Sequence, residues 1–372
     1  MSSIGHSPES HAGFPCPLPL DAFRQLIDRK ARACRRRYGQ DYQWHGRPVF
    51  AVDGSTLSMP DEAELVDAFG YAPTRHGPSR FPVARVTFVE LAGLEVIWDY
   101  RIDDYRTSED EQFRQMWPSL PNGCICLLDK KFSSFYTLAK LRQRRIGVIT
   151  LLHQRRDPTK LIAQGRRLGR NEWIVPLELS PQLRRRYDDP TLPQVLRVRL
   201  IRVQFRRGSR WRTLWVVTTL MDPARYPRRD VAAGYRWRWD IEGRIGSLKT
   251  TLEMNVLRSK RVGTVLREVA SIVLGHNLAW MLIHAAAERS GKVAGDISFA
   301  GAVKVAVAFS QTLPFASGAA REALREKVLD LIARQVNRHP FNRVEPRKVK
   351  RDRRRYPYLK EPRAVAREQC LT

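Results

Sequence analysis

A chain of 372 residues with 43% hydrophobic content is long enough for one large core with an insertion, or for two domains, and too apolar for a disordered polycation. Its 66 Lys and Arg against 38 Asp and Glu leave a formal charge of +28, an excess that suits a polyanionic partner and says nothing about fold. The five cysteines, Cys16, Cys34, Cys124, Cys126 and Cys370, lack metal-site spacing and point to a reducing cytoplasm, while the longest apolar run, 273–287, is broken by His276, Asn277 and His284, so no membrane segment is expected.

In chain order, residues 1–18 are rich in Ser, His, Pro and Gly and are expected to lack fixed structure. A helix is predicted over 20–38, ending in Arg35-Arg36-Arg37. The apolar run from Pro48 reads as a buried strand that stops at Asp53 and Gly54, which would put a carboxylate at a sheet rim. An Asp there also serves as an ordinary turn cap, so alone it decides little. Pro60, Gly70, Pro73, Gly77, Pro78 and Pro82 make 57–82 read as a loop. Strand-like runs at 83–91 and 94–102, joined by Ala92-Gly93, read as a hairpin. A short helix follows at 109–117. The run 124–129 is a second buried strand ending in an acid, Asp129, with Lys130-Lys131-Phe132 after it. A helix at 134–143 and a strand at 147–152 complete a mixed sheet.

Beyond residue 153 the text turns Arg-rich and proline-punctuated, with strand-like runs at 173–177, 194–205 and 211–220, and reads as a β-rich insertion. Later helices are predicted at 266–287, 299–309 and 319–336. The end is basic, with Arg347, Lys348, Lys350, Arg351, Arg353, Arg354 and Arg355 close together, a tail suited to phosphate contacts that carry no sequence information.

The stretch that organises the rest runs from Tyr235 to Lys249 and reads as one amphipathic helix in a proline-free segment, 228–252. At roughly 100° per residue, Tyr235, Arg238, Glu242 and Lys249 fall within an arc of about 60°, which Trp239 widens to about 100°. Asp240 lies about 160° from Glu242, and Glu253 is roughly 16 Å further along the axis. A phenol, a guanidinium, a carboxylate and an ammonium on one face suit a place where metal and phosphate meet. A solvated face would also carry charges, but it does not account for two cations beside one acid flanked by aromatics.

The spacing Tyr-x2-Arg-x3-Glu-x6-Lys, met by Tyr235, Arg238, Glu242 and Lys249, resembles the signature of the DDE transposases of the insertion-sequence-four type. The resemblance covers about residues 46–290. It implies an RNase H-like α/β fold: a mixed sheet flanked by helices, a β-rich insertion, and a helical, basic C-terminal region. The corresponding division is 1–45, an N-terminal segment; 46–152, the first part of the catalytic domain; 153–220, the insertion; 221–290, its second part with the signature helix; and 291–372, the C-terminal region. It further implies DNA strand cleavage and transfer at the ends of a mobile element by a homodimer on double-stranded DNA, in the nucleoid, without a small-molecule cofactor. Asp53, Asp129 and Glu242 would be the catalytic, metal-holding acids, because three converging carboxylates require cations, with Mg²⁺ or Mn²⁺ and two ions the expected occupants. Arg238, Lys249 and Tyr235 would hold phosphates, Trp239 and Trp215 would meet DNA bases, and Arg347, Lys348, Arg353 and Arg354 its backbone. Two features depart from the family's pattern: Lys130 and Lys131 stand before Phe132 where Arg and a small residue are more usual, and only some 45 residues precede the first catalytic strand, fewer than an end-recognition domain usually takes. A nuclease that cuts without joining, and a DNA-binding protein that keeps only the fold, are the competing readings.

Overall fold

The alternation of apolar and polar residues builds one mixed sheet of ten strands among the described residues. The computed structural model describes residues 18–337 except 76 and 208–209, together with Val365, Glu368 and Gln369. The side chains of Arg206, Arg207, Arg210, Trp239, Asp240, Glu242 and Arg244 also lie outside the described set. The expectations for residues 1–17 and for Arg347, Lys348, Arg353 and Arg354 therefore fall outside the described residues.

The strands are β1 (Val49–Ser58), β2 (Tyr71–Thr74), β3 (Gly77–Leu91), β4 (Val96–Asp104), β5 (Ile125–Leu128), β6 (Gly147–Leu151), β7 (Arg166–Gly169), β8 (Glu172–Glu178), β9 (Val195–Arg207) and β10 (Arg210–Thr218). β4, β3 and β1 form an antiparallel meander, and β5 and β6 then add in parallel, which is the RNase H-like order. β10 joins β6 antiparallel, and β9, β8 and β7 follow, so the inserted strands extend the central sheet.

The helices are α1 (Leu20–Tyr38), α2 (Ala63–Phe69), α3 (Glu109–Met116), α4 (Phe135–Gln143), α5 (Pro158–Ala163), α6 (Pro181–Tyr187), α7 (Arg228–Gly234), α8 (Trp237–Thr250), α9 (Val262–Ser290), α10 (Phe299–Ser310) and α11 (Gly318–Ala333). The segment 57–82, expected as a loop, holds the end of β1, α2 and the β2–β3 hairpin. Pro73, Pro78 and Pro82 are tolerated because they sit in a short outlying ladder rather than between central strands, and Pro60 lies in the link before α2.

The period of two divides the sheet into two faces. Phe50, Val52, Cys126 and Leu128 enter a core with α3, α4 and the C-terminal half of α9. Ala51, Ile125 and Leu127 enter a second core with α8 and the N-terminal half of α9. Cys34, Cys124 and Cys126 are free, buried thiols.

The polar interruptions of α9 have a structural use. This helix is long and apolar enough to cross a membrane by length and composition alone, yet just over half of its apolar window is buried inside the protein. Asn277 accepts the Ile97 N–H at 2.7 Å and donates to the Ile97 carbonyl at 2.8 Å, while His276 and His284 bond the carbonyls of Glu95 and Leu94. The helix thus occupies backbone groups that the edge strand β4 would otherwise present unpaired. Asn277→Ala should cost about 1–3 kcal/mol in urea unfolding, since it strands one buried donor and one buried acceptor. A loss below about 0.5 kcal/mol would mean that water replaces the amide.

Candidate active site

Asp53 and Asp129 stand side by side where β5 ends; β1 does not stop at Asp53 as its sequence suggests but runs on to Ser58, because its further residues still pair with β3. The parallel ladder between β1 and β5 closes with Val52 opposite Leu128, so the next residues on both strands are the two acids. Adjacent strands lie about 4.8 Å apart, which brings these positions side by side. Asp129 keeps an extended backbone, φ −69° and ψ 161°, and so continues the alternation of β5. By parity both acids lie on the face that carries α8. Both are half-buried. Asp53 Oδ1 accepts the Gly54 N–H at 2.9 Å. The Asp129 carbonyl accepts the Phe132 N–H at 3.0 Å and the Thr150 hydroxyl at 3.2 Å, which fixes the rim to β6.

Gly54 faces the other way. A Cβ there would overlap the side chain of Glu109 at the start of α3, so the glycine admits this acid beside the rim. Glu109 Oε1 stands 3.6 Å from Lys131 Nζ. Sequence alone gave no signal for Glu109, because its approach depends on the absent side chain at residue 54.

The signature stretch spans a junction rather than one helix. Tyr235 closes α7 and Arg236 opens α8, both with right-handed dihedrals, φ −62° and −63°. The Arg236 N–H bonds the carbonyl of Ala233 and the Arg238 N–H that of Tyr235, three residues back in each case, so the helical path tightens without reversing. Tyr235 is 2% and Arg238 4% exposed. Ile241, Ile245 and Leu248 are buried with them in the core beneath the sheet. The guanidinium carbon of Arg238 lies 5.6 Å from the centre of the Tyr235 ring. Lys249 is half-buried, and desolvation lowers its pKa. This arc is therefore not a solvated face. The Glu242 position falls between those of Lys249 and Tyr235 on the helix circle.

The path of α8 follows from its two anchors. Before it, the Tyr226 hydroxyl accepts from Arg47, which also holds the Gly123 and Cys124 carbonyls ahead of β5. After it, Asn255 and Leu257 bond the backbone of Ser58 at the far end of β1. The helix thus travels beneath β1 and β5 in the direction of the strands that carry the acids.

The insertion hairpin reaches past the same rim. Val216 pairs with Leu151 at the end of β6, so earlier residues of β10 project beyond it. Trp215 is half-buried, opposite Arg202, with its ring 6.0 Å from that of Trp173. It packs on the first core, so the parity of β10 sets it on the face away from α8. Trp211, which the sequence did not single out, is 71% exposed further along the hairpin.

Among the described residues no three His, Cys, Asp or Glu side chains gather as a metal site. The described part brings Asp53 and Asp129 together and packs Tyr235, Arg238 and Lys249 along the face toward them. Two carboxylates on adjoining strands, at the level where β5 ends, are oxygen donors of the kind hard divalent cations take, so the donor chemistry fits such an ion.

Comparison with known proteins finds transposases. The profile described as "Transposase DDE domain" matches residues 44–278. The chain is 27% identical over 353 residues to the transposase InsG of insertion sequence element IS4 from Escherichia coli (strain K12), covering 91% of this chain and 76% of that protein. It is 34% identical over 124 residues to the putative transposase InsZ of the same organism, covering 33% of this chain and 40% of that protein. A cryo-EM structure of the piggyBac transposase synaptic complex with hairpin DNA matches with a TM-score of 0.44 and 10% identity, over 78% of this chain and 58% of that one. With the profile covering more than half of its length, the chain belongs to the transposase DDE-domain family.

Proposed function

We propose that this protein cuts and joins DNA strands at the ends of an insertion sequence, in a reaction that needs a divalent metal ion. The observation that carries the reading is the register of β1 and β5, which sets Asp53 beside Asp129 on the face under which the signature helix packs. Asp53, Asp129 and Glu242 are the proposed catalytic acids and would hold Mg²⁺ or Mn²⁺, as two ions. When bound, such a pair supplies activation of the attacking oxygen and charge stabilisation on the leaving oxygen at phosphorus. Arg238, packed on Tyr235 and nearly excluded from water, is pre-set to bind a non-bridging phosphate oxygen at little further ordering cost. Lys249 adds a partly desolvated ammonium one arc position away. Double-stranded DNA is the partner that a formal charge of +28 suits, with two copies of the chain acting together on it.

The test is a strand-joining assay with a pre-cut 3′-hydroxyl end in Mg²⁺. Joined product is expected; cutting of an intact duplex without any joining would favour a nuclease instead. In the same assay Lys249→Ala should lower the single-turnover rate by about ten- to a hundredfold while leaving the metal-concentration dependence unchanged, because it positions DNA rather than metal. A shifted metal requirement would place Lys249 among the groups that organise the acids.

A further inference from the structure

Two arginines show how this fold treats a guanidinium taken out of water. Arg199 is fully buried and is met by Glu172 and by the carbonyls of Leu220, Asp222 and Tyr226. Arg47 is met by the carbonyls of Gly123, Cys124 and Arg145 and by the Tyr226 hydroxyl. Burying a charge is expensive unless such partners replace its water, and both side chains obey that rule.

Arg156 does not. It lies in the loop between β6 and α5, half-buried, and burial lowers its pKa. Its backbone N–H bonds the His153 carbonyl at 2.9 Å, yet its guanidinium has no hydrogen bond or ion pair among the described residues. The nearest acid in sequence, Asp157, caps α5 by accepting the Thr159 N–H at 2.8 Å.

Its surroundings are cationic. The β5–β6 ladder pairs Leu127 with Ile149, which sets the loops after the two strands side by side at the rim. These loops carry Lys130, Lys131, His153, Arg155 and Arg156 next to Asp129. Burial, and then Arg155, Arg156 and Lys130, hold the His153 imidazole below its usual range, which places the four groups close together. Glu109 is engaged with Lys131. A half-buried guanidinium left without an anion, among further cations at the edge of a candidate DNA-cutting site, has the chemistry of a place that receives a ligand's anion.

We propose that the rim formed by the loops after β5 and β6 binds backbone phosphates of the DNA strand beside the acids, with Arg156 as the anchoring group and Lys130 at its side. Only the position relative to the cut rests on the transposase reading; phosphate binding by the rim does not. The contact is made to phosphate, so it fixes where the strand lies and carries no base preference.

The experiment uses the full chain in metal-free buffer, a fluorescein-labelled random-sequence duplex, and the variants Arg156→Gln and Arg156→Lys. The Gln variant should bind the duplex about tenfold more weakly, with the slope of log affinity against log salt smaller by about one. Its Tm should stay level or rise slightly, because a half-buried charge with no partner in the fold has been removed. The Lys variant should recover most of the affinity. Unchanged affinity in Arg156→Gln overturns the proposal. So does equal loss in both variants together with a lowered Tm, since a folding defect then accounts for the result. Asp129→Asn, run alongside, tests the transposase reading separately. If it still cuts DNA in Mg²⁺, that reading fails, while the binding result for Arg156 stands or falls on its own.

Discussion

Glu242→Gln should abolish cleavage, lowering the single-turnover nicking rate of an end-containing duplex in Mg²⁺ by several orders of magnitude. The amide keeps the shape of the side chain and removes the charge that would hold a metal between it and the acids Asp53 and Asp129. Binding of DNA without metal should hold or tighten slightly, because one negative charge facing phosphate has gone. The built-in control is Asp240→Asn. Its position lies about 160° around α8 from Glu242, away from the arc where Tyr235, Arg238 and Ile245 are buried, so the rate should stay within about tenfold of the parent. The pair is decisive because both changes remove one carboxylate from one helix. If Asp240→Asn is inactive and Glu242→Gln cuts normally, the acid that completes the site is on the other side of α8, and the assignment of the signature fails.

The catalytic half of the chain was legible because its signals are local. An apolar run that ends at an acid was enough to align Asp53 with Asp129, although β1 does not stop at Asp53 and runs on to Ser58 against β3, and the period of the intervening elements was enough to order β1, the β3–β4 hairpin, α3, β5, α4 and β6. What could not be read depends on partners distant in sequence. The segment 57–82 was misread because α2 is too short to show a helical period, and because Pro73, Gly77 and Pro78 in the β2–β3 hairpin look like loop residues. The signature stretch carries nothing between Tyr235 and Trp237 that stops a helix, yet it divides there. The insertion was recognisable as β-rich, but its strands extend the catalytic sheet through β10 and β6, a pairing between residues far apart in the chain. The face of Trp215 depends on the register of β10, and its packing against Trp173 assigns it to the first core. Arg199 was the least visible of all. In the strand-like run around it, charged and apolar residues alternate, which reads as a polar outer face, and the approach of Glu172 and of the carbonyls of Leu220 and Tyr226 makes a buried guanidinium possible.

Arg199→Ala should therefore be the most damaging change to stability outside the apolar core, at about 3–5 kcal/mol. The side chain is fully buried, and Glu172, its partner on β8, is 8% exposed. The guanidinium donates from Nε and Nη2 to Glu172 and from Nη1 to the Leu220 carbonyl at 2.8 Å and the Tyr226 carbonyl at 3.0 Å. Truncation leaves a carboxylate charge in the interior with nothing to compensate it, and leaves carbonyls of the strap at 220–226 without their donor. That strap leads from β10 into α7 and so sets where the signature helix begins. Against a typical net stability of about 5–15 kcal/mol, such a loss moves the unfolding midpoint far enough to be read without extrapolation. The double variant Arg199→Met with Glu172→Leu separates charge from packing. It removes both ions together, so it should recover at least half of the single variant's loss. Cleavage in the double variant should nonetheless stay low, because two methylene-rich side chains cannot hold the strap carbonyls that aim α7 and α8. Equal unfolding midpoints for Arg199→Ala and the parent in urea would show that water enters to solvate Glu172. Full cleavage in the double variant would show that Arg47 and Tyr226 position the helix without help from the insertion.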